Sequence, residues 1–109
     1  MRTYIADIGV SEECCSNSRD IEFNTVDELI SNVSNLLNSE DVATSYYYYF
    51  YTRIYLKVGE EDGEPVYGDD CIEVVYRVDS RNHYVRDEID AIISNVQNEV
   101  TEEKLNKLT

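Results

Sequence analysis

The sequence predicts an α+β domain in which a small antiparallel sheet carries two main helices on one face, in the order β(β)αββα. Three observations predict it. Segments near residues 3–10, 44–58 and 71–78 alternate apolar and polar residues, as half-buried strands do. Two segments, beginning near Val26 and Val85, instead place apolar residues at helical spacing. The strands are neighbours in sequence with no helix between the last two, which favours antiparallel pairing over a parallel βαβ sheet. A length of 109 residues with 42% hydrophobic content provides one modest core, so residues 1–109 read as a single domain.

Each element has its own signal. Tyr4, Ala6, Ile8 and Val10 share one face of a first strand over residues 3–10. Ser11 to Ser18 is polar and reads as a loop. A short second strand is expected over Asp20–Phe23, with Ile21 and Phe23 inward. Thr25-Val26-Asp27-Glu28 is a capping box, with Thr25 as N-cap and Glu28 three residues later. The stripe Val26, Leu29, Ile30, Val33, Leu36 and Leu37 then carries a helix to about Asn38.

The stretch from Thr44 to Val58 is dense in Tyr, which favours strand. Even-numbered Tyr46, Tyr48, Phe50, Ile54, Leu56 and Val58 read as inward. Odd-numbered Tyr47, Tyr49, Tyr51, Arg53, Tyr55 and Lys57 read as outward. A strand of that length would run about 50 Å, so a bend or bulge is expected near Thr52. Gly59 to Gly68 has the composition of a turn, and Cys71 to Val78 alternates again as the return strand of a hairpin. A second helix starts near Tyr84, with Val85, Ile89, Ile92, Ile93, Val96 and Val100 in its stripe. Thr101-Glu102-Glu103 restarts a last turn bearing Leu105 and Leu108.

Charge is the functional signal. There are 23 acidic and nine basic residues, for a net charge of −14. Negative charge has a local use at helix N-termini, which accounts for Asp27-Glu28, Asp87-Glu88 and Glu102-Glu103. It has none in the loop-like clusters Glu12-Glu13 and Glu40-Asp41, nor in Glu60, Glu61, Asp62, Glu64, Asp69 and Asp70. Such an excess disfavours the compact state by self-repulsion, and it suits a basic partner, above all a protein that binds nucleic acid.

Other classes are excluded one by one. No catalytic motif of the G-x-S-x-G, P-loop or H-E-x-x-H kind occurs, and the negative field opposes a low-pKa cysteine nucleophile, so the chain is not read as an enzyme. No cofactor is expected. Cys14, Cys15 and Cys71 lack metal-ligand spacing and a matching histidine, since His83 stands alone, and they read as reduced thiols of a cytoplasmic protein. The acids of residues 60–70 do not follow the EF-hand pattern, so no metal site is expected. Direct nucleic-acid binding lacks its positive groove, and anionic lipid would be repelled. No apolar run approaches the roughly 20 residues of a membrane span.

The opening Tyr4-Ile5-Ala6-Asp7-Ile8-Gly9 resembles the start of ArdA-type antirestriction proteins, elongated acidic mimics of duplex DNA. In size, charge and α+β pattern the chain is also similar to small acidic phage anti-CRISPR proteins. Both resemblances imply a stoichiometric inhibitor that occupies the DNA-binding site of a host defence enzyme, a CRISPR effector or a restriction enzyme. The chain itself is expected to be a monomer or small homo-oligomer, cytoplasmic, and in the host cell if phage-encoded. An immunity protein or antitoxin that neutralises a nuclease toxin, and an acidic accessory protein, are the competing readings. The expected partner-binding residues are the acids Glu60, Glu61, Asp62, Glu64, Asp69 and Asp70 with the outward Tyr47, Tyr49, Tyr51 and Tyr55.

Overall fold

The computed structural model describes residues 1–11, 16–77 and 84–109. The expectations placed on Glu12, Glu13, Cys14, Cys15, Val78 and His83 therefore lie outside the described residues. The chain is an α+β slab of 42 × 29 × 20 Å. Strands β1 (Tyr4–Ser11), β2 (Ser16–Phe23), β3 (Tyr49–Glu61) and β4 (Glu64–Arg77) form one antiparallel sheet in the order β2-β1-β3-β4. Helices α1 (Val26–Asn38), α2 (Glu40–Ala43), α3 (Ile89–Glu99) and α4 (Glu102–Asn106), with a 3₁₀ turn over Val85–Glu88, supply the second layer.

The core lies between sheet and helices because each element buries one apolar face. Tyr4, Ala6, Ile8 and Val10 of β1 meet Phe50 and Ile54 of β3 and Val74 of β4 on one side. Leu29, Val33, Leu36 and Leu37 of α1 and Ile92 and Val96 of α3 close it from the other, joined by Leu105 and Leu108. Thr25 caps α1 as expected, its hydroxyl accepting the Glu28 N–H at 3.2 Å, and Glu28 accepts from the N–H of Asn24. Glu102 at the start of α4 accepts a further orphan donor of α1, the Val26 N–H, at 2.9 Å. Arg2 donates to the carbonyls of Leu105, Asn106 and Leu108, placing a cation at the C-terminal end of α4.

Several expectations change, the first being that Glu40-Asp41, read as a loop cluster, forms the first turn of α2. The second strand is longer than Asp20–Phe23, beginning at Ser16, because full backbone pairing with β1 outweighs the polar composition of Ser16–Ser18. Thr52 is no bend. It is fully buried in a regular stretch of pairing, its hydroxyl without a hydrogen-bond partner among the described residues. The register shifts instead between Tyr55 and Lys57 and again between Lys57 and Gly59, relieving the length of the strand where β1 ends. Gly59 to Gly68 is strand on both sides of a two-residue turn, Asp62-Gly63, whose φ angles of 53° and 78° are those of a type I′ hairpin. Finally, Tyr46, Tyr48 and Val58 are exposed rather than inward. The first two precede β3 and the third follows the first register shift, so none shares the pleat that sets the parity of Phe50, Thr52 and Ile54.

Candidate protein-binding interface

One hairpin carries nearly every expected contact residue. Pairing of β1 with β3 ends at Tyr4↔Leu56, followed by a last bond from the Lys57 N–H to the Thr3 carbonyl. Beyond it, β3 and β4 pair with each other alone among the described residues, forming a two-stranded ribbon that runs on past the sheet. Glu60, Glu61, Asp62 and Glu64 are all exposed at its tip, and Asp69 and Asp70 are exposed at its root. From Asp70 back to Leu56 to the tip is about six residues of strand, or roughly 20 Å. The six carboxylates fall in two groups over that length, Glu60, Glu61, Asp62 and Glu64 around the turn and Asp69 and Asp70 at the root, separated by the uncharged residues 65–68.

Among the described residues, one base touches the ribbon acids. Lys57 Nζ lies 2.6 Å from Glu60 and 3.0 Å from Glu22 of β2. These hydrogen bonds, Glu60 first, raise the Lys57 pKa, and the reciprocal bond lowers that of Glu60. No Lys or Arg occurs from Val58 to Tyr76. The root is held by Thr109, whose carbonyl accepts the Asp70 N–H at 2.9 Å and whose hydroxyl donates to Asp70 Oδ2 at 2.6 Å. Gly68 makes room for this contact, since a Cβ there would stand 2.7 Å from the Thr109 oxygen. The carboxylates are strung out rather than convergent, and no three His, Cys, Asp or Glu among the described residues are arranged to hold a metal ion.

The aromatic half sits on the sheet face that the helices leave open. Tyr49, Tyr51, Arg53 and Tyr55 alternate out of β3 as expected, against Glu73, Val75 and Arg77 of β4. Arg53 Nε donates to Glu73 at 2.8 Å, and its guanidinium lies 5.6 Å from the Tyr51 ring. Tyr51 lies across Gly9, where any side chain would stand 2.9 Å from its hydroxyl, and it hydrogen-bonds Asp7. Burial, then repulsion by Asp20, raise the Asp7 pKa against the opposing pull of Arg53 and Tyr51. Tyr49 stacks beside Tyr51 at 6.3 Å. A shallow cavity of about 430 Å³ opens between Ser11, Ser16, Tyr49, Tyr51, Arg53 and Val75.

Tyr47 leaves this row. It precedes β3 and packs against the core, so the outward assignment is corrected. Two aromatic groups take its place at the surface. Tyr67, assigned to a turn by composition, lies in β4 and stacks on Tyr55 at 5.1 Å, linking the open face to the ribbon. Tyr46, 48% exposed, stacks on Tyr84 at 4.6 Å, and Arg86 covers the other ring at 4.9 Å. The dipeptide Asp62-Gly63 was the signal for Tyr67, since a two-residue turn puts its flanks into strand.

The segment Tyr4–Gly9 that resembles antirestriction proteins is the central strand β1, with five of its six residues buried and Asp7 half-buried. It belongs to the packing of the fold and contributes nothing to the ribbon. Comparison of the chain with protein-family models, curated proteins and solved structures returns no match. Among the described residues, no helix is long and apolar enough to cross a membrane.

Proposed function

We propose that the chain is a stoichiometric, non-catalytic inhibitor that occupies the DNA-binding site of a host defence enzyme, a CRISPR effector or a restriction enzyme, in the manner of an acidic DNA mimic. The observation that carries this reading is the projecting ribbon, which gathers six exposed carboxylates on a hydrogen-bonded, pre-ordered scaffold. A positive DNA channel would meet carboxylates where it expects phosphates. Tyr55 and Tyr67 beside the ribbon, and Tyr49 farther along the open face, would supply aromatic anchors, the residue type that dominates interface hot spots. The charges act on approach, and the aromatics act on residence.

The test is competition for DNA binding by candidate effectors, followed in time. Glu61→Lys with Asp69→Lys should slow association and flatten its salt dependence. Glu61 directly faces Glu64 across the turn, so the new lysine replaces a like-charge pair with an ion pair and leaves the fold intact. Asp62 is unsuitable for reversal, because its positive φ favours Asp, Asn or Gly. Tyr49→Ala should instead speed dissociation, costing about 1–3 kcal/mol if the ring is a hot spot. Full loading of DNA onto every effector in the presence of excess chain would overturn the reading.

A further inference from the structure

Strand β4 is an edge of the sheet, with no further strand paired to its outer side among the described residues. The Lys57 N–H bonded to Thr3 fixes the direction of every peptide group along β3. Odd-numbered residues of β3 turn their N–H and C=O groups toward β1, so even-numbered ones turn toward β4. Phe50, Thr52 and Ile54 therefore bond Tyr76, Val74 and Ile72. The N–H and C=O groups of Cys71, Glu73, Val75 and Arg77 consequently point away from the sheet, along its outer edge.

Exposed edges are normally blunted by proline, lysine, bulges or a covering segment. Toward the ribbon, β4 has all but the lysine: Pro65, a register shift opposite Leu56, and Thr109 docked at Asp70. From Cys71 to Arg77 it has neither proline, bulge nor covering segment among the described residues, and its two charges, Glu73 and Arg77, are of opposite sign. The opposite edge, β2, turns Ser16, Ser18, Asp20 and Glu22 outward by the same parity, two of them acidic. On β4 the side chains between the outward peptide groups include Val75, 57% exposed.

We infer that β4 pairs antiparallel with β4 of a second copy of this chain, about a two-fold axis at Val75, making one continuous eight-stranded sheet. In this register Glu73 faces the second copy's Arg77, Arg77 faces its Glu73, and Val75 meets its own equivalent. All three pairs use the peptide groups that point outward. Centring on Glu73 would oppose two glutamates, and centring on Val74 would set Glu73 against Val75 and Arg77 against Cys71. Charge and apolar contact therefore select a single register.

A chain of net charge −14 resists self-association, but not at this segment. Glu73 and Arg77 balance, and the acidic ribbons of the two copies point in opposite directions. Each tip stands about 40 Å from the axis at 3.3 Å per residue, several times the Debye length of about 8–10 Å. The open faces merge, so that the two cavities lined by Tyr49, Tyr51 and Val75 flank the axis. The pairing does not depend on the inhibitor reading.

Sedimentation equilibrium of the full chain, over micromolar to millimolar concentration and at low and high salt, reads this out directly. The expected result is a reversible shift from 12.6 kDa to twice that mass, favoured by salt because salt screens the repulsion of the two acidic bodies. Val75→Lys sets two like charges on the axis and should hold the chain monomeric. Its melting temperature should not move, since Val75 is exposed in the monomer. Arg77→Glu should weaken the dimer by roughly tenfold, from two cross-strand pairs turned repulsive. Adding Glu73→Arg, together with Arg53→Glu to keep the pair between β3 and β4, exchanges the two charges and should restore it. A chain monomeric at millimolar concentration, or a dimer untouched by Val75→Lys, overturns the inference. So does a monomeric chain whose capture of a target protein is lost in Val75→Lys, which would give the edge to a strand of that target.

Discussion

The two halves of the β3–β4 hairpin share one ladder and differ in almost everything else. From Tyr49 to Leu56 the hairpin is flanked by β1 and backed by the helices, so one side of the pleat is buried and the residues alternate strictly. Arg53 is paired there with Glu73, and the aromatics lie across neighbouring strands. Beyond Leu56 the ribbon leaves the sheet, held at its root by Thr3, Glu22 and Thr109, and has no core to cover among the described residues. Alternation gives way there, and acidic residues collect on both strands, with Glu61 even facing Glu64. Packing disciplines the base. The tip is free to be selected for charge.

The sharpest way to break that contrast is to remove packing from the base. Phe50→Ala deletes a fully buried ring from the centre of the core and should cost about 3–5 kcal/mol in urea unfolding. A much smaller loss would mean that the base does not anchor the fold and that the division between halves is misplaced. At the tip, Gly63→Ala forces a side chain into a left-handed backbone at φ 78°. That should cost about 1–2 kcal/mol, with nothing sterically in the way of the new methyl group. Because the ribbon is held to the rest of the molecule at its root, by Thr3, Glu22 and Thr109, the damage should appear as local fraying in amide exchange of residues 58–67 before any global unfolding.

The same contrast explains what could be read from the chain before its fold. Burial patterns were legible where one face meets the core: β1, the capped α1, the odd-numbered Tyr49, Tyr51 and Tyr55, and the Leu105–Leu108 turn were all expected from spacing. Parity failed at Tyr46, Tyr47, Tyr48 and Val58, because it holds only within an unbroken pleat and nothing in a run of tyrosines marks where the pleat starts. Composition misled at Gly59–Gly68. Acids, glycines and Pro65 read as a loop, yet backbone pairing needs no apolar face, and Asp62-Gly63 alone closes the turn. The acids of the candidate site were visible in the sequence, whereas their arrangement on a paired ribbon was not. The free edge at Val75 depends on sheet order, which no local pattern encodes.

The smallest effect tests the open face itself. Asp7 lies there between Tyr51, Arg53 and Asp20, and burial followed by Asp20 raises its pKa above the ordinary 3.8. A carboxyl that holds its proton more tightly when folded than when unfolded costs stability once it ionises. The cost is absent below about pH 3.8, grows as pH rises through the interval up to the raised folded value, and stays constant above it. Asp7→Asn removes the charge while keeping an oxygen that can accept from Tyr51. It should therefore raise the melting temperature slightly at neutral pH and make no difference, or a small loss, in acid. If the variant is less stable at neutral pH, attraction to Arg53 and the Tyr51 bond outweigh burial. The open face would then be a charge-paired surface held together by Asp7, a third kind of environment within the same sheet.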